Sequence, residues 1–124
     1  EMKDLMTSQV GIFRDEPALL SAKQKIKVLK KRFLKIGLKR RDLAFNHEFI
    51  QYLDLEGMLH LAEAIVEGAW ARKESRGSHF RVDFPNRDDE HWLRHTLAFK
   101  TAEGVKLDYK EVTITSYPPE ERKY

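Results

Sequence analysis

Apolar positions recur with a helical period over the first two thirds of this chain and then switch to strand-like alternation. Met2, Leu5 and Met6 fall on one face, predicting a first helix over about Glu1 to Val10. Gly11 is its stop, and Ile12-Phe13 read as an apolar turn. Asp15 can cap a second helix whose first turn tolerates Pro17. Ala22, Ile26, Leu29, Phe33 and Ile36 alternate steps of four and three, which draws one apolar stripe along that helix to about Ile36. Gly37 closes it, and Leu38 to Phe45 form a basic-to-apolar connector.

Asn46 can cap a third helix running to about Glu74. Its apolar set is wide: Phe49, Ile50, Leu53, Met58, Leu59, Leu61, Ala62, Ala64, Ile65, Val66, Ala69 and Trp70. Only Glu56, His60, Glu63 and Glu67 make a narrow polar stripe. A helix apolar around most of its circumference needs cover on more than one side. Two neighbouring helices supply part of that cover, and the remainder predicts a further domain outside this chain. Gly57, Ala64 and Gly68 would let a neighbour approach closely.

Past Arg76-Gly77 the pattern changes. Asp83 to Asp89 is a turn-rich loop, and Glu90 to Leu93 fit one helical turn. Thr96–Lys100 and Val105–Tyr109 alternate around Thr101-Ala102-Glu103-Gly104, the pattern of a β-hairpin. A lone hairpin is marginal, so it should pack on the helices or on a partner. Pro118-Pro119 begin a short charged tail. The expected fold is mainly α: a three-helix bundle over residues 1–76, then an extension over 77–124 carrying the hairpin, packed together as one domain.

Composition narrows the chemistry. At 124 residues, 41% hydrophobic and 35% charged, the chain suits one domain with a modest core. It contains no cysteine, which excludes disulfides, thiolate metal sites and a cysteine nucleophile, and fits a reducing cytosolic setting. No apolar run approaches the roughly 20 residues needed to cross a bilayer. The chain opens in mid-amphipathic pattern with no capping residue ahead of it, as expected for a boundary inside a larger protein.

Charge is unevenly placed. Of 23 basic residues, ten lie between Pro17 and Arg41 with no acid among them, leaving 13 against 20 acidic residues elsewhere. Such a helix could grip phosphates, with affinity that falls steeply with salt. No aromatic residues interleave with the lysines and no helix-turn-helix spacing is evident, so a solvated surface or a docking face for an acidic partner is the better reading.

Catalytic patterns are sparse. His91 and His95 stand four apart, a possible metal pair on a helix, but the arrangement is not H-E-x-x-H and the strand signal begins near His95. Asp88-Asp89 could cap a helix as readily as catalyse, and His60 on the polar stripe suits a surface or interface role. Ser75 and Ser78 flank Arg76-Gly77 without a G-x-S-x-G elbow, and no glycine-rich phosphate loop occurs. Where the long helix ends, Gly77 permits a sharp turn, and Arg76 and Arg81 offer planar donors for carbonyls and carboxylates.

That same stretch, Ala71-Arg72-Lys73-Glu74-Ser75-Arg76-Gly77-Ser78-His79, resembles the A-R-K-E-S-R-G-x-H segment of succinate dehydrogenase and fumarate reductase flavoprotein subunits. L-aspartate oxidase, a relative, has a similar segment. Arg87 to Phe99 resemble the family's R-D-D-x-x-(aromatic)-L-x-H-T-L, and Val10-Gly11-Ile12-Phe13-Arg14 its G-I-(aromatic)-R opening of the C-terminal domain. Leu107-Asp108-Tyr109 and Pro118-Pro119 continue the resemblance. It implies a three-helix bundle of spectrin-like topology with an extension, packed on an FAD-binding domain that belongs to the same parent chain.

The resemblance further implies a parent that interconverts succinate and fumarate through FAD and passes electrons to an iron–sulfur subunit. Such a parent would be cytoplasmic, or held at the cytoplasmic face of the inner membrane through partner subunits. The family's dinucleotide motif, flavin-attachment histidine and N-R-L-G segment are absent here, so no catalytic, cofactor-binding or metal residue is carried over, and no cofactor is expected on this chain alone. Ser75, Arg76, Gly77, His79 and Arg81 match the signature and are the expected contacts to the preceding domain. Three rivals remain: an aspartate oxidase domain, against which R-D-D and H-T-L weigh; a stand-alone basic-helix nucleic-acid module; and a free-standing scaffold. The isolated domain could also self-associate through its uncovered face.

Overall fold

A computed structural model describes residues 1–120; the last four residues of the expected charged tail lie outside the described residues. Three helices carry the core: α1 (Met2–Gln9), α2 (Glu16–Phe33) and α3 (His47–Ala71). Leu5 and Val10 from α1 and its end meet Leu19, Ala22 and Ile26 of α2 and Ala62, Val66 and Ala69 of α3 in one buried cluster. The expected bundle is present. Asp15 caps α2, accepting from the Ala18 N–H at 2.8 Å, and Asn46 caps α3, accepting from the Phe49 N–H at 3.0 Å. The Asn46 amide also donates to the carbonyls of Arg40 and Asp42, which folds the connector onto the helix start.

Both long helices stop three residues short of their expected ends. In α2 the Lys35 and Ile36 N–H groups bond back only three residues, to Arg32 and Phe33, so the last turn tightens and the stripe is lost. Ile36 is 49% exposed instead of buried. In α3 the backbone turns extended at Arg72 (φ −79°, ψ 106°), which swings Glu74 inward to full burial.

The narrow polar stripe of α3 faces α2 as well as solvent. Lys23 bonds Glu67 at 2.8 Å and lies over the Trp70 ring at 4.3 Å, and Lys30 pairs with the buried Glu63. Two of the ten clustered cations are therefore paired with α3, and a third, Arg32, with Glu1 at the start of α1. The basic face of α2 is partly an inter-helix contact.

Ile12-Phe13 form no mere turn. β1 (Phe13–Arg14) runs parallel to β2 (Phe80–Arg81), with the Phe80 N–H donating to Ile12 O and the Val82 N–H to Arg14 O. Gly11 lets the chain leave α1 close to its axis, since a Cβ there would meet Thr7 O at 3.0 Å. The one-turn α4 (Asp89–Trp92) is capped by Asp88. The hairpin pairs β3 (Arg94–Thr101) with β4 (Gly104–Glu111) antiparallel, in register from Arg94↔Glu111 to Thr101↔Gly104. It extends the expected strands outward and packs against α3, where Thr96 approaches Gly68.

Candidate functional site

At the C-terminal end of α3 the signature segment builds two arginine–carboxylate nodes. The first centres on Glu74. Its carboxylate accepts from Arg72, from Arg76 at 2.9 and 3.1 Å, and from the Asp88 N–H at 2.9 Å. Burial works against ionisation there, but Arg76, the Asp88 amide and Arg72 outweigh it and hold the carboxyl below the usual range. Arg76 reaches on to Asp89 at 2.5 Å, and Arg87 pairs with the same carboxylate. Arg72 also donates to Trp92 O, Arg94 O and Thr96 Oγ1, which fastens the hairpin to the helix end.

The second node is Arg81, which is completely buried. It grips Asp83 bidentately at 2.7 Å, meets Glu16 at 2.9 Å, and donates to the carbonyls of Ala69 and Trp70 at 3.1 Å. Those carbonyls are among the last of α3, which have no partner within the helix. All of the guanidinium's donor capacity is thus met inside the domain. Glu16 in turn accepts from the Trp70 indole at 2.8 Å.

The residues expected to contact a neighbouring domain therefore divide. Arg81 has no side-chain surface left to offer outward. The Ser75 hydroxyl donates to Phe84 O and accepts from the Arg81 N–H, which holds β2 in place. Gly77 sits exposed at φ +57° in a tight turn closed by paired Arg76 and His79 backbone bonds. Arg76 is partly exposed, and His79 is half-buried beside Arg14.

That last contact joins residues 65 apart in sequence. Arg14 donates to His79 Nδ1 at 2.7 Å and to Gly11 O at 2.6 Å. Nδ1 must then accept, so the proton lies on Nε2, which donates to Arg72 O at 3.2 Å. Burial, reinforced by Arg14, Arg81 and Arg72, holds the imidazole below the ordinary histidine value, although its bond to the Arg72 carbonyl opposes this. Arg14, Glu16, Asp83, Arg72 and Glu74 were missing from the sequence-derived contacts. Arg14, Arg72 and Glu74 were present only as members of the resembling segments Val10–Arg14 and Ala71–His79, and Glu16 and Asp83 lie outside both.

His91 lies on α4 against Asp88 while His95 lies on β3, so the two share no helix face. No helix among the described residues is long and apolar enough to cross a membrane. The hairpin covers α3 only in part on the flank away from α2: Ile50, Leu61 and Ile65 are 55, 64 and 49% exposed.

The fold is a helical bundle whose buried charges, Glu63, Glu74 and Arg81, are paired within the chain, and in which the signature residues organise the end of the longest helix. The chain belongs to the family described as fumarate reductase flavoprotein C-term, whose model matches residues 1–124. A fumarate reductase flavoprotein subunit of Mycobacterium tuberculosis is 47% identical over 125 residues, covering 100% of this chain and 21% of that protein. A succinate dehydrogenase flavoprotein subunit of Rickettsia conorii is 36% identical over 132 residues, covering 100% of this chain and 22% of its own length. A solved quinol fumarate reductase chain from E. coli superposes with a TM-score of 0.93 at 36% identity, over 98% of this chain and 21% of that one. The chain thus spans about a fifth of the length of the curated relatives it matches. The aspartate oxidase and nucleic-acid readings gain no support from these matches.

Proposed function

We propose that this chain is the C-terminal structural and interface domain of an FAD-dependent flavoprotein subunit that interconverts succinate and fumarate. The parent passes electrons to an iron–sulfur subunit and sits in the cytoplasm or at the cytoplasmic membrane face through its partners. The observation that carries the interface role is the open stripe of α3. Ile50, Leu61 and Ile65 lie on a flank of α3 turned away from the buried Leu59 and Val66, and the hairpin covers that flank only in part, near Ala64 and Gly68, so these three apolar side chains stay exposed. Residues 1–76 and 77–120 act as one cooperative unit within it, because Arg72 bonds Arg94 O, and Arg81 bonds Glu16 and Ala69 O, across that division.

The donor set does not suit FAD. A flavin pyrophosphate favours bare helix N-termini approached by glycine-rich backbone. Here α2 and α3 are already capped by Asp15 and Asn46, and all three long helices carry an acid in the first turn: Asp4, Glu16 and Glu48. A groove of about 430 Å³ between α1 and α2 also has Glu1 and Asp4 on its wall, and of its two cations, Lys25 and Arg32, the latter is paired with Glu1. In the proposed parent the flavin belongs to the part outside this chain, and no catalytic step is assigned to these residues.

Leu61→Glu together with Ile65→Glu tests the reading. In the 124-residue chain the pair should shift stability by less than about 1 kcal/mol, since both positions are exposed. In the full-length flavoprotein it should release the domain to limited proteolysis and lower succinate–fumarate turnover. Unchanged proteolysis and turnover, or sub-millimolar flavin binding by this chain alone, would overturn the reading.

A further inference from the structure

Among the described residues at this end of the fold, Arg14 and Arg94 lack a carboxylate, and Arg94 is held instead against the Trp92 and Tyr109 rings. Arg72, Arg76, Arg81 and Arg87 each hold a carboxylate. Arg14 is partly buried, yet no carboxylate pairs with it among the described residues, and its second terminal nitrogen has no hydrogen-bond partner there. The groups it does meet, Gly11 O and a neutral imidazole, supply no charge. Burial accordingly disfavours its cationic form. The open nitrogen reaches solvent, and a half-desolvated cation of this kind gains from an anion that completes it.

The surroundings show what that partner must be. Ile12 and Phe13 are 60 and 73% exposed beside Arg14, and Val82 lies open at the end of β2. Phe13 is held edge-on against Phe80, 5.4 Å between ring centres, so it presents a fixed apolar surface. The nearby cations Arg72 and Arg81 are already neutralised by Glu74, Asp83 and Glu16. The ribbon therefore offers one positive charge without a carboxylate, bordered along the same two short strands by exposed apolar residues, which matches a single carboxylate side chain on a protein surface. A phosphate would call for several converging cations.

We infer that Arg14, oriented by His79, receives an Asp or Glu carboxylate from the flavin-carrying part of the parent chain, with Ile12, Phe13 and Val82 as the apolar rim of that contact. The inference rests on the proposed function. His79 is a positioning residue: its Nδ1 holds the guanidinium edge, while its Nε2–H is anchored on the carbonyl that ends α3.

Hydroxyl-radical footprinting of the full-length flavoprotein and of the 124-residue chain separates the two claims. Labelling of Leu61 and Ile65 reports on the α3 interface, and labelling of Ile12 and Phe13 reports on the Arg14 contact. In the parent, Ile12 and Phe13 should label at least tenfold more slowly than in the chain alone. Arg14→Gln should return them to the isolated-chain rate, and Arg14→Lys should keep part of the protection. In the isolated chain, Arg14→Gln should leave labelling of Phe13 and Phe80 within twofold. Protection of Leu61 without protection of Phe13 would overturn the inference and spare the domain reading; exposure of all four in the parent would overturn both. Full protection retained by Arg14→Gln, or equal loss of order in the isolated variant, would also overturn it, the latter marking Arg14 as an internal strut.

Discussion

Replacing Glu74 by Gln removes one charge from a fully buried carboxylate while keeping its shape. The amide oxygen can replace only one carboxylate oxygen, so the NH2 must face two donors, either Arg72 with Arg76 Nε or Arg76 Nη2 with the Asp88 N–H. Removing one partner of a buried ion pair costs about 3–5 kcal/mol. The low end applies here. Arg76 keeps Asp89, and Arg72 keeps Trp92 O, Arg94 O and Thr96 Oγ1. The expected loss is about 3 kcal/mol, or a fall in Tm of roughly 10–15 °C for a domain of this size. Urea unfolding followed by circular dichroism measures it directly. Glu67→Gln, which breaks the more solvated pair with Lys23, should cost about 1 kcal/mol or less. The acid side supplies a second check. Because the folded-state pKa of Glu74 is depressed, its contribution is fully present above the unfolded value, about 4.3, and is lost as pH falls through the folded value. Glu74→Gln should therefore flatten the stability profile below about pH 4. A loss under 1 kcal/mol with an unchanged acid limb would refute the hub assignment.

Two further outcomes can be measured on the chain alone. Gly77→Ala places a Cβ at φ +57°, where nothing lies within 4 Å, so it should destabilise by about 1 kcal/mol through backbone strain alone, read by the same urea titration. His79 should titrate below about 6.5 by NMR. Since the unfolded chain then protonates first, stability should decline as pH drops from that value toward the folded pKa and level off beneath it, a decline that His79→Gln should lose.

What the sequence made legible was local. The caps Asp15 and Asn46, the stripe through Ala22 and Ile26, and the hairpin alternation each depend on neighbours within a few residues, and each stands in the structure. The excess apolar width of α3 was legible for the same reason, since helical period alone turns Ile50, Leu61 and Ile65 away from Leu59 and Val66. The misses depend on distance. Phe13 pairs with Phe80, Arg14 meets His79, and Arg81 reaches Glu16, all across more than sixty residues, and no periodic pattern encodes such pairings. The helix ends failed for a related reason. Propensity would carry α3 on to Glu74, but the buried carboxylate needs Arg76 and the Asp88 amide around it, and an extended turn at Arg72 gives it that setting.

The longest helix is finished by residues that follow it. The carbonyls of Ala69 and Trp70 end on Arg81, and that of Arg72 on His79, so the acceptors orphaned at the C-terminus of α3 are satisfied from β2 and the turn before it. Arg81 in turn is fixed by Glu16 at the start of α2 and Asp83 beyond β2, while Arg72 and Arg76 share Glu74. One end of the bundle is thereby locked by charge-assisted bonds that allow little adjustment in the pitch of α3. That rigidity matters for the exposed flank of the helix. An apolar stripe can match a neighbouring surface only if its side chains hold a fixed register, and here the register is set by groups that never reach that surface. Loosening the Arg81 node should therefore weaken docking through the α3 stripe even though Arg81 is entirely buried within its own domain.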